Sequence, residues 1–135
     1  MTGTALKLTL DSHPKNIAEV EPYVNQVLQQ YELDELLFGN ILITLTEAVS
    51  NAILHGNQAK AHKKVHIASA IQQNCITFTV EDEGPGFDPA QLPDPTAPEN
   101  LMTPGGRGVF LMQNLSDHVD FKEGGRMIEL QFNLH

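Results

Sequence analysis

The chain has 135 residues, 41 % of them hydrophobic, which suits a single domain over residues 1–135 with one apolar core. With 17 acidic and 8 basic residues the formal net charge is −9 and there is no basic run. Nucleic acid and anionic membrane surfaces both need clustered Lys and Arg, so neither is an expected partner, whereas a single nucleotide can be held by backbone N–H groups.

The N-terminal stretch MTGTALKLTLDSH lacks the basic start and long apolar run of a signal peptide, and no later stretch reads as a bilayer span. Cys75 is the only cysteine, so no internal disulfide can form. Together these give the cytoplasm as the expected address. Leu6, Leu8 and Leu10 alternate with polar residues, predicting a half-buried strand that Asp11, Ser12 and Pro14 end. From Asn16 to Tyr31, apolar residues at Ile17, Val20, Val24, Val27, Leu28 and Tyr31 recur at helical spacing, and Pro22 should kink or divide this run. Asp34 is the expected N-cap of the next helix, in which Gly39 costs about 1 kcal/mol relative to Ala.

That helix continues through Ile41–Asn57, ILITLTEAVSNAILHGN, around which the chain is organised. Ile41, Leu42, Leu45, Val49, Ala52 and Ile53 form one apolar stripe. Glu47, Asn51 and His55 are four apart and stack along the opposite face, which is either a solvated surface or a row of ligands. His55-Gly56-Asn57 is the expected stop, with His55 placed to satisfy the last carbonyls.

Lys64–Ala70 and Asn74–Glu81 read as two strands around a turn near Gln72-Gln73-Asn74, with Cys75 expected as a small core residue. Ile76, Phe78 and Val80 share a face, and the same period of two puts Asp82 on the apolar side. An inward carboxylate at a strand end is costly without a partner; the alternative is a simple turn residue in Asp82-Glu83-Gly84-Pro85-Gly86. Phe87–Gly106 holds five prolines and no periodicity, a long loop that is either functional or a disordered insertion. Gly105-Gly106-Arg107-Gly108 then leads into an apolar helix, and Val119–Phe121 with Met127–Leu134 form a closing hairpin around Glu123-Gly124-Gly125. The resulting fold class is α+β, a two-layer α/β sandwich with helices on one face of a mostly antiparallel mixed sheet.

In this order, TEAVSNAILHG at Thr46–Gly56, Asp82–Gly86 and GGRGVFLM at Gly105–Met112 resemble the N, G1 and G2 boxes of the GHKL superfamily. Within it they are most similar to the anti-sigma factor serine/threonine kinases, the RsbW-like group. The resemblance implies a Bergerat (HATPase) fold holding ATP and Mg2+. It implies that Asp82 accepts a hydrogen bond from the adenine amino group, that Asn51 coordinates Mg2+, and that Glu47 is the general base. Gly84 and Gly86 would let the chain approach the base and ribose. Gly106, Gly108 and the first amides of the following helix, including Val109 and Phe110, would cradle the phosphates under a lid supplied by the long loop. Arg107 reads equally as a phosphate contact or a solvent-facing charge, and a metal site built from His55, His62 and His66 matches no usual ligand spacing.

The function so implied is an ATP-dependent protein serine/threonine kinase acting as an anti-sigma factor. It would bind a sigma factor, phosphorylate a STAS-type anti-anti-sigma antagonist, and form the homodimer common in the group. A nucleotide-gated binding module without phosphotransfer uses the same motifs. A histidine-kinase catalytic domain fits less well, because no helical segment with a phosphoacceptor histidine precedes the ATP motifs.

Overall fold

The computed structural model describes residues 6–84 and 106–134, and of residues 106–110 the backbone alone. The elements are β1 (Leu6–Asp11), α1 (Val20–Gln30), α2 (Phe38–Asn51), β2 (Lys64–Gln72), β3 (Cys75–Glu81), α3 (Gly106–Leu115), β4 (His118–Lys122) and β5 (Met127–Asn133). The strands form one sheet in the order β1-β2-β3-β5-β4. Every described pairing is antiparallel, so the expected mixed sheet is antiparallel throughout these five strands.

Alternation sets which side of the sheet is buried. Val65 and Ile67 of β2, Ile76, Phe78 and Val80 of β3, and Ile128, Leu130 and Phe132 of β5 are buried against the helices. Phe78 and Phe132 meet edge to face with ring centroids 6.0 Å apart, the arrangement an aromatic quadrupole favours. The outer face carries Ala68, Ala70, Cys75, Thr77, Thr79, Glu129 and Gln131, which line an open hollow of about 420 Å³. Cys75 is therefore not the core residue expected. It pairs with Gln72 at the hairpin end, and the period of two along β3 puts it in phase with the outward Thr77 and Thr79.

Helix α1 buries Val20, Tyr23, Val24, Val27 and Leu28. Pro22 does not break it; the break falls one turn earlier, where a 3-10 segment Pro14–Glu19 ends at Val20. Pro22 thus sits in the first turn of α1, where a missing N–H costs nothing. The buried Tyr23 hydroxyl donates to the Leu6 carbonyl at 2.8 Å and ties α1 to β1, and burial pushes its pKa up to about 12.

Helix α2 is the central element. Asp34 caps the 3-10 turn Glu35–Leu37 ahead of it, accepting from the Leu36 N–H at 2.9 Å. Ile41, Leu45, Ala48, Val49, Ala52 and Ile53 are fully or almost fully buried, and α2 packs against both α1 and α3. The run Glu35–Gly56 covers 22 residues, and its most apolar window has a mean hydropathy of 1.5. It is long and apolar enough to cross a membrane, contrary to the expectation that no stretch is; here its apolar stripe faces the core.

Candidate functional site

The site is built at the C-terminal end of α2. After Asn51 the helix widens into a π turn, Ala52–Gly56, closed by the Asn57 N–H donating to the Ala52 carbonyl at 2.8 Å. Single π turns insert one residue per turn and often accompany functional positions. The wider turn breaks the four-residue register expected between Asn51 and His55. It also changes how the helix stops. His55 is exposed, and the last carbonyls are taken by backbone N–H groups of Asn57 and Ala59 rather than by its ring. The reversal falls on Gln58 and Ala59, with φ of 54° and 56°. Gly56 is not the left-handed residue.

What requires glycine at position 56 is Asp82. A Cβ on Gly56 would collide with the Asp82 carboxylate, and a Cβ on Gly84 would collide with the Gly56 carbonyl. The end of the helix and the acid turn after β3 are therefore pressed together, backbone against backbone, with the carboxylate at the seam. Asp82 is 9 % exposed, as the alternation along β3 leads one to expect. Its Oδ1 accepts the Gly84 N–H at 2.8 Å, and its own N–H donates to the Arg126 carbonyl at 2.9 Å. Oδ2 takes no hydrogen bond from any described residue. Burial raises the carboxyl pKa above its ordinary value; the Gly84 N–H, Arg126 and Lys63 pull it back, and Glu81 adds to the rise.

A second group of residues, which the sequence motifs do not single out, fixes this seam. Asn57 is 1 % exposed. Its Nδ2 donates to Ser12 Oγ at 2.7 Å and to the Lys64 carbonyl at 3.0 Å, while its Oδ1 accepts the Glu83 N–H at 2.8 Å. Glu83 in turn accepts the Lys64 N–H at 2.9 Å and lies 3.3 Å from His66 Nε2, and these two contacts lower its carboxyl pKa. The signal that could have found Asn57 is its position directly after the pressed glycine. It was masked because Asn after Gly also reads as an ordinary turn.

Glu47 and Asn51 lie on α2 on the approach to this seam. Both are half-buried, and neither side chain hydrogen-bonds another described residue. Gly106, Arg107, Gly108, Val109 and Phe110 form the first half of α3, so the second glycine motif lies within the helix rather than in a loop ahead of it. Gly86 and the proline-rich stretch through residue 105 lie outside the described residues. His62 is exposed, and His66 is engaged with Glu83. A buried carboxylate with one oxygen that takes no hydrogen bond from a described residue, at a seam packed too tightly for a Cβ, suits an N–H donor presented edge-on, such as the amino group of a purine.

The profile of a Histidine kinase-like ATPase domain matches residues 10–132. The Anti-sigma F factor of Heyndrickxia coagulans is 32 % identical over 136 residues, covering 96 % of this chain and 90 % of that protein. The Anti-sigma F factor of Oceanobacillus iheyensis is 35 % identical over 91 residues, covering 65 % of this chain and 60 % of that one. That of Bacillus subtilis is 32 % identical over 99 residues, covering 70 % and 65 %. Two of these three matches thus span less than two thirds of the relative's length. A solved structure of the RsbU and RsbW domains of Rv1364c from Mycobacterium tuberculosis superposes with a TM-score of 0.67 at 15 % identity, covering 98 % of this chain and 32 % of that one, and so shares the fold. The antiparallel sheet, the helix layer and the profile spanning nearly all of the chain together place it in the histidine kinase-like ATPase domain family.

Proposed function

We propose that the chain is a cytoplasmic, ATP-dependent protein serine/threonine kinase that acts as an anti-sigma factor and phosphorylates a STAS-type antagonist. The observation that carries this reading is the buried Asp82 carboxylate, its Oδ2 open, walled by Gly56 and Gly84 at the end of the helix that bears Glu47 and Asn51. In this reading Asp82 accepts the adenine amino proton, and Gly84 and Gly86 keep the backbone close to the base and ribose. The leading N–H groups of α3, from Gly106 through Arg107, Gly108 and Val109, bind phosphate oxygens, since the first four amides of a helix have no internal acceptor, and Phe110 follows them in the same segment. Arg107 adds a charge-assisted contact there.

The Asn51 side-chain oxygen would hold Mg2+. Bound there, the ion would offset the negative charge of the phosphates. Glu47 orients the attacking serine or threonine hydroxyl and takes its proton as that oxygen bonds to the γ-phosphorus and the bond to ADP breaks. The phosphate placed on the antagonist adds close to two negative charges at its docking surface, which releases it from this acidic protein. The sigma factor binds the same protein when the antagonist has left.

The relatives named Anti-sigma F factor support the regulatory half of this reading. The catalytic half is tested by incubating the chain with labelled ATP, Mg2+ and a STAS protein from the same organism. Transfer of label to a serine or threonine, cut at least about hundredfold by Glu47→Ala, is expected of a positioned base. A partner captured only with ATP and never labelled would instead show a nucleotide-gated binding module.

A further inference from the structure

We infer that Asn57 is a positioning residue for nucleotide selectivity: its side chain fixes the Asp82–Gly84 turn against the end of α2, and so fixes where Asp82 Oδ2 points. The inference rests on the adenine contact proposed for Asp82. Three elements far apart in sequence meet at one buried amide. Ser12 at the end of β1, the Lys64 carbonyl at the start of β2 and the Glu83 N–H in the acid turn all bond to it at 2.7–3.0 Å. These contacts fill three of the amide's four hydrogen-bonding positions. Nδ2 uses both hydrogens and Oδ1 receives one donor, and at 1 % exposure its remaining lone pair is out of a ligand's reach. Its effect on a nucleotide must act through the neighbours it holds.

Those neighbours have little freedom. The Glu83 N–H lies between Asp82 and Gly84, and the Gly84 N–H holds Asp82 Oδ1 at 2.8 Å. Gly56, the residue before Asn57, touches the other side of the same carboxylate. Both walls of the Asp82 cradle are thus anchored within one residue of Asn57 contacts. Shortening Asn57 to Ala frees the Glu83 N–H and the Ser12 hydroxyl inside the fold, and the turn relaxes toward new partners. A carboxylate that can swivel still attracts positive charge but no longer discriminates one edge of a purine. Ser12, wholly buried and bonded to Asn57 Nδ2, orients the amide and belongs to the same device.

The test compares equilibrium binding of ATP and of purine riboside triphosphate, which lacks the 6-amino group, alongside thermal unfolding without nucleotide. The wild type is expected to prefer ATP by more than about tenfold, the size of one hydrogen bond to a charged group, and Asp82→Asn to abolish that preference. Asn57→Ala is expected to cut it by about tenfold while binding the deaminated analogue nearly as well as wild type does. Ser12→Ala is expected to give a smaller fall in the same direction, and it decides the matter if Asn57→Ala does not fold. A lowered unfolding midpoint with an intact ATP preference, in whichever variant folds, overturns the inference and leaves Asn57 a purely structural residue. A wild type with no preference for ATP overturns the adenine contact of Asp82 and this inference with it. A preference that Asp82→Asn abolishes but Asn57→Ala and Ser12→Ala leave untouched overturns this inference alone.

Discussion

The two ends of helix α2 are built to opposite rules. At the N-terminal end Asp34 caps the chain, Leu36 is 86 % exposed, and Gly39 has nothing within 4 Å of where a Cβ would stand. Leu37 and Phe38 pack against the core there, but among the described residues that end holds no buried polar group. At the C-terminal end the helix widens into a π turn, Gly56 is pressed onto a buried carboxylate, and Asn57 is sealed into a polar network spanning three strands. One end could be improved for stability. The other holds a costly buried acid in a tight cradle, as expected where a ligand rather than the fold sets the requirement.

The contrast is sharpest between its two glycines, and Gly56→Ala should have the largest effect. Its methyl would drive into the Asp82 carboxylate, so a net loss of about 2–3 kcal/mol is expected after the gain in helix propensity, together with loss of nucleotide binding. Denaturant unfolding and a binding titration would measure the two parts. An intact stability would mean that the seam yields easily and that the closeness of helix and acid turn is incidental.

Asp82→Asn separates folding from function. The folded pKa of Asp82 is raised, so its contribution favours the fold most when protonated, below the unfolded value near 3.8, and is lost as pH rises through the raised folded value. Asparagine carries no such loss, and its side-chain oxygen can still accept the Gly84 N–H. The variant without nucleotide should therefore unfold at a higher temperature than wild type at neutral pH, by a margin that narrows on acidification, while binding ATP at least about tenfold more weakly. A margin that widens as pH falls would contradict burial as the cause of the shift.

At the other end the effects are smaller. Asp34→Ala should cost about 1 kcal/mol through the lost cap, with no change in nucleotide affinity. Gly39→Ala should stabilise by about 0.5 kcal/mol, since helix propensity rises and the methyl meets open space. Chemical denaturation resolves the first comfortably, and the second is best read in the same experiment beside Gly56→Ala. A nucleotide defect in either variant would break the division between the two ends.

Most of the strand framework was legible because alternation is a local signal. The inward set Ile76, Phe78 and Val80 carries its phase directly to Asp82. The apolar stripe of α2 was legible for the same reason, at helical period. Where an element begins is a weaker signal than which way it faces. The break ahead of α1 depends on how Pro14–Glu19 packs rather than on the presence of Pro22. Cys75 follows the legible phase instead: it alternates with Ile76 and so faces outward with Thr77 and Thr79, against the usual preference of a thiol for burial. The network around Asn57 was not legible at all. Ser12 and Asn57 are 45 residues apart, and Asn57 and Glu83 are 26 apart, so no periodicity links them. The π turn likewise leaves no mark on residue type, yet it sets how the polar row of α2 meets the acid turn.

The site is tested most directly by calorimetric titration of wild-type and Asp82→Asn protein with ATP and Mg2+ at neutral pH. Saturable binding to wild type at one site per chain, weakened at least about tenfold by the substitution in a protein shown to be folded, is the expected result. Equal affinity in the two proteins, or no binding to the folded wild type, would contradict the assignment of the Asp82 cradle as a nucleotide site.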